Sequence, residues 1–362
     1  MRISDKQELI QYIESLIEIN NLNMSISDMF TSVLGNRSII SDKEVEVLKK
    51  KFNKHSLDII KDALFDYWEL DRENEEDCEI FDNYIASCIQ EVDENKYLNN
   101  PYYQNIHFDN IRDDKFSLEK DHYTPYELFA YKDMSYFDGT YIEQNSIAYF
   151  TKTFDFLSIN ENKTTWMSVI PNEIETMEKA IELANGKVIV YGLGLGYFPY
   201  MISLKENVKE ITIVENNEKV IDLFNKYIFP QFAHKEKIKV IKDDAFEYMK
   251  KAIDFDFAFI DLWHNPEDGI ELFINAKKLE KENKAYSYWL ESSFYILLRR
   301  CMISLLEEQL SGADESMYIS SKSVTDSIIN IYYQKTKKLA LNNREQVDEL
   351  LSDSTLLNLL IK

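Results

Sequence analysis

Glycine, proline and cysteine are all scarce in this chain. Eight glycines, six prolines and three cysteines in 362 residues come with no internal repeat and no low-complexity tract. Cys78, Cys88 and Cys301 are scattered and odd in number, with no metal-ligand spacing, which argues against a disulfide framework and for a reducing compartment. Long hydrophobic runs are missing too: the most apolar late stretch, 294–306, is interrupted by Arg299 and Arg300 and is too short to span a membrane. The opening Met1-Arg-Ile-Ser-Asp-Lys lacks the apolar core of a signal peptide, so the expected location is cytoplasmic. Positive charge is the deficit that bears most on partners. With 41 Lys and Arg against 64 Asp and Glu, the formal net charge is −23 at pH 7. Such a chain has no general attraction for nucleic acid or an anionic membrane, so neither is an expected partner, and cationic substrates are modestly favoured.

Where glycine does occur, it is concentrated. Lys187-Val-Ile-Val-Tyr191 is a β-branched run that leads straight into Gly192-Leu-Gly194-Leu-Gly196, three of the eight glycines. Glycine alone takes positive φ freely and presents no Cβ, so the stretch reads as a loop that lies against a nucleotide-type ligand. Helical apolar spacing over 171–181, with proline at its start and Asn185-Gly186 as a stop, places a helix ahead of this strand. A second helix is expected over 197–204, with Pro199 confined to its first turn.

The alternation then continues. Strands are expected at 210–215, 237–242, 255–261 and 285–291, and helices at 220–228, 245–252 and 269–281. Strands alternating with helices imply a parallel sheet that binds ligands at the carboxyl ends of its strands. Glu215, Asp243, Asp244, Asp261 and Glu291 all fall at such ends. The loop is of the G-x-G-x-G kind, because Tyr197 stands where a nicotinamide dinucleotide site would want a third glycine.

Four blocks resemble the S-adenosylmethionine-dependent methyltransferases with a Rossmann-like fold: Val188-Ile-Val-Tyr-Gly-Leu-Gly-Leu-Gly196, Ile213-Val-Glu215, Asp243-Asp-Ala-Phe246 and Phe257-Ala-Phe-Ile-Asp261. Within that superfamily the chain looks most similar to uncharacterised bacterial methyltransferase-like proteins that share Trp166-Met-Ser-Val-Ile-Pro-Asn-Glu-Ile174 and Asp261-Leu-Trp-His264. The resemblance covers roughly residues 160–300. It implies S-adenosyl-L-methionine as cofactor, with Gly192, Gly194 and Gly196 beside its methionine part, flanked by Tyr191. Glu215, with Asn216, would hold the ribose, and Asp244 with Ala245 the adenine; one of Asp243 and Asp244 would serve only as a helix N-cap. Trp166, Met167 and Ser168 would lie over the ligand.

The resemblance thus implies methyl transfer to a small molecule or a protein side chain. A base is needed only if the attacking atom still carries a proton, and Asp261, His264 and Glu291 are the candidates, in that order. Each has a plain structural reading as well: a satisfied strand-end acid, an exposed loop histidine, and an acid at a helix N-terminus. Trp263 is as readily a packing residue as a stacking one. Two other functions stay open, an aminopropyltransferase like spermidine synthase, which uses decarboxylated S-adenosylmethionine, and a non-catalytic scaffold. The second aspartate motif and the amino-terminal β-domain usual in spermidine synthases are not evident in the sequence.

The expected fold class is α/β. A helical amino-terminal domain over 1–97 includes a capping box at Ser41 and Glu44, and an aromatic-rich mixed cap or linker over 98–165 has β-favouring runs at 127–131 and 146–154. The Rossmann-like parallel sheet with flanking helices spans 166–310, stops at about five strands and carries no final hairpin. A helical carboxy-terminal extension spans 311–362, and a homodimer through the helical ends is the expected assembly.

Overall fold

The computed structural model describes residues 1–36, 38–108, 110–113, 115–251, 253–313 and 323–362. Ala252, the last residue of an expected helix, and 314–322 of the carboxy-terminal extension lie outside the described residues. Five parallel strands form the central sheet, in the spatial order Ile238–Lys242, Val208–Glu215, Gly186–Tyr191, Phe257–Ile260 and Ala285–Tyr288. Numbered along the chain this is 3-2-1-4-5, a doubly wound, Rossmann-like sheet. The strand order reverses between Gly186–Tyr191 and Phe257–Ile260, and such a switch point opens a crevice at the carboxyl ends of the strands. Near-continuous apolar runs suit strands covered on both faces. Val188, Ile189 and Val190 are buried, as is every residue of Phe257–Ile260.

The flanking helices follow from equally local causes. Pro171–Leu183 starts with proline at its first position and buries Ile174, Met177 and Ala180 against the sheet. Tyr197–Ser203 carries Pro199 within its first turn, where a missing N–H costs nothing, and stacks Phe198 on Phe259 with ring centroids 4.0 Å apart. Pro266–Lys277 begins three residues earlier than apolar spacing alone suggests, because Asn265 and Asp268 form a capping box across its first turn.

Ahead of this domain lies an antiparallel sheet of four strands, Thr164–Ser168, Phe154–Glu161, Phe116–Tyr123 and Ile111–Asp113, in that order. Of its long strands, Phe116–Tyr123 falls outside the runs expected from β-favouring composition, and Phe154–Glu161 shares only Phe154 with them. Phe116–Tyr123 is a polar strand that buries Phe116, Leu118 and Tyr123 and leaves most of the residues between them partly or fully exposed. The expected runs do contain Phe129–Ala130 and Ile147–Tyr149, which pair with each other in a separate three-stranded sheet with Ile89–Glu91.

Helix Gln7–Asn36 sends Leu9, Ile13 and Leu16 into the main core and Ile26, Phe30 and Val33 into a second core with Ile59, Ile60, Leu64 and Ile85. Arg2–Ile3 pairs in parallel with Ala340–Leu341, and Tyr12 bonds Asp348, so the amino terminus is tied to the carboxy-terminal helices. The capping box at Ser41 and Glu44 is present. Helix Glu291–Leu310 follows the last parallel strand, and among the described residues no further strand joins that sheet. No helix among the described residues is long and apolar enough to cross a membrane.

Candidate active site

A cavity of about 470 Å³ opens at the switch point. The glycine loop forms one wall of it, the Asp243–Phe246 turn another, and the segment 261–264 with the strand Thr164–Ser168 the rest. The glycines are not equivalent. A Cβ on Gly192, at φ 97°, would stand 1.9 Å from the carbonyl oxygen of Asp261, so the fold itself requires glycine there. Gly194, at φ 52°, has nothing nearer to its missing Cβ than the Met167 sulfur at 3.8 Å, and it lines the cavity. The space at Gly194 is what a ligand would use.

Glu215 braces this loop. One carboxylate oxygen accepts the Leu193 N–H at 3.1 Å and the other the Asn217 N–H at 2.8 Å. A carboxylate offers about four acceptor sites, so two remain for ligand hydroxyls. Asn216 lines the cavity beside it. Asp243 pairs with Lys251, which holds its carboxyl below the ordinary range, and accepts the Asp244 N–H at 3.0 Å. Asp244 is the N-cap of Ala245–Met249 and accepts the Glu247 N–H at 2.9 Å. Both acids and Ala245 line the cavity.

Asp261 ends the strand Phe257–Ile260 at the floor of the site. Burial, and then the charge of Glu215, push its carboxyl up to about 7. His264 sits at the exposed rim. The Trp166 indole N–H donates to its Nε2 at 3.1 Å, while Nδ1 faces Asp268 Oδ2 at 3.0 Å. The Nε2 lone pair is therefore already engaged, which weakens the case for His264 as a base. Trp263 lines the cavity yet is chiefly a packing residue: its Nε1–H donates to the Trp289 carbonyl at 3.1 Å and its ring stands edge-on to Phe294.

Three expected site residues lie outside the lining. Glu291 is ion-paired with Lys277 at 2.8 Å in the first turn of its helix, the arrangement of an ordinary helix-start acid. Tyr191 is buried within the sheet with its ring near Tyr248. Gly196 starts the helix Tyr197–Ser203, and a Cβ there would meet the Phe224 ring at 2.5 Å, so packing accounts for it. Trp166, Met167 and Ser168 line the cavity.

Two residues of consequence were not apparent in the sequence. Glu173, third in the helix Pro171–Leu183, reaches the cavity. Burial, and then the charge of Asp261, hold its carboxyl well above the ordinary range, against a Ser168 backbone N–H that favours the charged form. The available signal was an acid in the first turn of the helix just before the glycine strand. Tyr102, fully buried, donates its hydroxyl to the Leu195 carbonyl at 2.6 Å and so holds the glycine loop from behind. In sequence it is one of many tyrosines. The cavity thus carries Glu173, Glu215, Asp243, Asp244 and Asp261, and no lysine or arginine is among the described residues that line it.

Comparison with known proteins bears on what such a site accepts. Residues 174–279 match the spermine/spermidine synthase domain. The match begins in the helix that carries Glu173 and takes in the glycine loop, Glu215, Asp243, Asp244 and Asp261. It corrects two expectations, methyl transfer as the reaction and S-adenosyl-L-methionine as the cofactor, because that family consumes the decarboxylated compound as a substrate. No curated protein matches the chain. Among solved structures, spermidine synthase from Thermotoga maritima is 17% identical over 42% of this chain and 60% of its own, with a TM-score of 0.30. A spermidine synthase in complex with the transition-state analogue AdoDATO is 18% identical over the same shares, also at 0.30. A probable spermidine synthase from Corynebacterium glutamicum ATCC 13032 is 12% identical over 67% of this chain and 93% of its own, at 0.31. The chain spans 60% of the length of the first two.

Proposed function

We propose that this chain transfers an aminopropyl group from decarboxylated S-adenosylmethionine to an amine. The observation that carries this reading is the charge of the cavity: five carboxylates line it, with no lysine or arginine among the described lining residues. Decarboxylated S-adenosylmethionine carries a sulfonium and an ammonium and no carboxylate. Its charges complement such a lining, and they relieve the cost of enclosing Glu173 and Asp261, for which the described residues supply no counter-ion. The domain match at 174–279 points the same way.

Glu215 binds the ribose through its open acceptor sites, and the Asp243–Ala245 turn receives the adenine. The amine lone pair attacks the propyl carbon bonded to sulfur, the carbon–sulfur bond breaks with its pair going to sulfur, and a neutral thioether, methylthioadenosine, leaves. The nitrogen that has gained a carbon sheds one proton, which Asp261 accepts. A carboxyl that titrates near neutrality is matched to that task. Holding amine, carbon and sulfur in line can supply roughly 7–11 kcal/mol of the barrier.

The test is incubation of the purified chain with decarboxylated S-adenosylmethionine and a panel of primary amines, with release of methylthioadenosine measured by chromatography. Amine-dependent release is expected. Binding of the donor without release from any amine would leave a binding protein, and absence of binding would remove the reading altogether.

A further inference from the structure

We infer that Tyr102 and Tyr103, neighbours on one short helix, are positioning residues that together set the width of the donor cleft. The inference rests on the aminopropyl-transfer reading and adds to it two residues that touch no ligand. Neither tyrosine is among the residues that line the cavity. What they hold are two of its walls. The Tyr102 hydroxyl donates to the Leu195 carbonyl of the glycine loop at 2.6 Å, and the Tyr103 hydroxyl donates to the Val169 carbonyl, directly after the strand Thr164–Ser168.

The two walls face each other close to those bonds. Gly194 precedes Leu195 by one residue and Met167 precedes Val169 by two, and the missing Cβ of Gly194 stands 3.8 Å from the Met167 sulfur. Both residues line the cavity. They belong to separate sheets, Met167 to the antiparallel one and Gly194 to the loop that leaves the parallel one, so strand pairing does not set the distance between them. The Trp166–His264 bond joins the same two parts at the exposed rim. The tyrosines join them through one helix, main chain to main chain.

That helix, Pro101–Asn105, is itself anchored. Its N-cap Asn100 accepts the Tyr102 N–H at 2.9 Å and donates to the Tyr197 hydroxyl at 3.0 Å, and the Pro101 carbonyl accepts the Tyr200 hydroxyl at 3.2 Å. Tyr197 and Tyr200 lie in the helix that follows the glycine loop. Three glycines at positive φ give the loop backbone more freedom than other residues would, and a buried bond to its carbonyl from an anchored neighbour restricts it. In-line transfer depends on such restriction, because a misplacement of about 1 Å can cost a hundredfold in rate.

Hydrogen exchange of the ligand-free protein, read by mass spectrometry, tests this in wild type, Tyr102→Phe, Tyr103→Phe, the double variant and Tyr332→Phe. Tyr332 donates to the Leu356 carbonyl at 3.2 Å, a buried bond between the helices Val324–Thr336 and Asp353–Ile361, neither of which lines the cavity. Tyr102→Phe and Tyr103→Phe are each expected to speed exchange at both 166–169 and 193–196, and Tyr332→Phe at neither. The same proteins are then titrated calorimetrically with decarboxylated S-adenosylmethionine. Each single variant of the pair is expected to bind it roughly three- to tenfold more weakly, as for one lost hydrogen bond, and the double variant to lose less than the product of the two, because both bonds serve one gap. Tyr332→Phe is expected to bind as wild type does. Exchange that rises only in the segment whose own carbonyl has lost its donor overturns the inference, as does a fully multiplicative loss in the double variant or an equal weakening in Tyr332→Phe. If wild type binds no donor, the aminopropyl reading fails, and the exchange pattern still decides whether the two tyrosines act together.

Discussion

The Tyr102 hydroxyl donates to the Leu195 carbonyl oxygen at 2.6 Å, joining residues 93 apart and tying the glycine loop to the short helix Pro101–Asn105. Tyr102 also stands edge-on to Tyr197 and Tyr200 in the helix that follows the loop. Removing the hydroxyl leaves a buried carbonyl without this donor, at a cost of about 1–3 kcal/mol. Tyr102→Phe keeps the ring packing, so the variant is expected to stay folded with a melting temperature a few degrees lower. Its affinity for the decarboxylated donor is expected to drop several-fold, read by calorimetry. Unchanged affinity would mean that the loop holds its shape without this bond.

Asp261 is expected to make both stability and the rate of the proposed transfer depend on pH. Its carboxyl stands at about 7 in the folded chain against an ordinary 3.8. Between those values the folded chain keeps a proton that the unfolded chain has lost. The group's favourable contribution is complete below 3.8 and is lost as pH rises through about 7, a span on the order of 2–4 kcal/mol. Denaturant titrations from pH 4 to 8 should therefore show wild type losing stability relative to Asp261→Asn as pH rises. Turnover runs the opposite way, because the base must be unprotonated: the rate is expected to climb through neutrality, and Asp261→Asn to lower it by roughly two to four orders of magnitude. A flat difference in stability across that range would place the carboxyl in its ordinary range.

Binding of a dication to this lining also moves protons. The positive charges of a donor bound in this cavity would favour the charged forms of Glu173 and Asp261, whose burial otherwise favours the protonated forms. Proton release on donor binding near neutral pH is the expected outcome. It is measured by calorimetry in two buffers of different ionisation enthalpy; identical apparent enthalpies would show that neither group changes state.

The glycine strand, the carboxylates at successive strand ends and the alternating helices made the parallel sheet and most of its ligand edge readable from sequence, because period and punctuation there are local properties. Glu173 was not readable in that way. In a helix start an acid is what the macrodipole favours anyway, and only the fold shows that this one faces a cavity instead of water. Phe116–Tyr123 escaped for a related reason: His122, Asp121, Lys120 and Glu119 give it the composition of a loop, and it is a strand because Phe154–Glu161 pairs along its whole length. Glu291 shows the reverse case. Its position at a strand end suggested the site, but the strand stops at Tyr288, and Glu291 belongs to the next helix and to Lys277. Along the buried face of helix Gln7–Asn36 the two asparagines Asn20 and Asn23 separate Leu9, Ile13 and Leu16 of one core from Ile26, Phe30 and Val33 of the other, a break that only the fold shows to be a passage between cores.

The contrast between Gly192 and Gly194 separates what the fold needs from what the ligand needs. Both have positive φ, so any side chain is strained there, by roughly 1 kcal/mol or more. At Gly192 a Cβ would also collide with the Asp261 backbone at 1.9 Å, and that carbonyl belongs to the neighbouring strand end, which cannot move without disturbing the sheet. Gly192→Ala is therefore expected to lower the melting temperature strongly and to give little folded protein. At Gly194 the nearest atom, the flexible Met167 sulfur, is 3.8 Å away, so Gly194→Ala pays for the backbone strain alone and stays folded. Its methyl group then projects into the space where the ligand must approach the loop. Gly194→Ala is expected to weaken donor binding tenfold or more, about 1.4 kcal/mol, and Gly194→Val to abolish it in a chain that still melts cooperatively. Circular dichroism melts beside donor titrations check both, and tight binding by a folded Gly194→Val would show that the ligand does not approach the loop at this glycine.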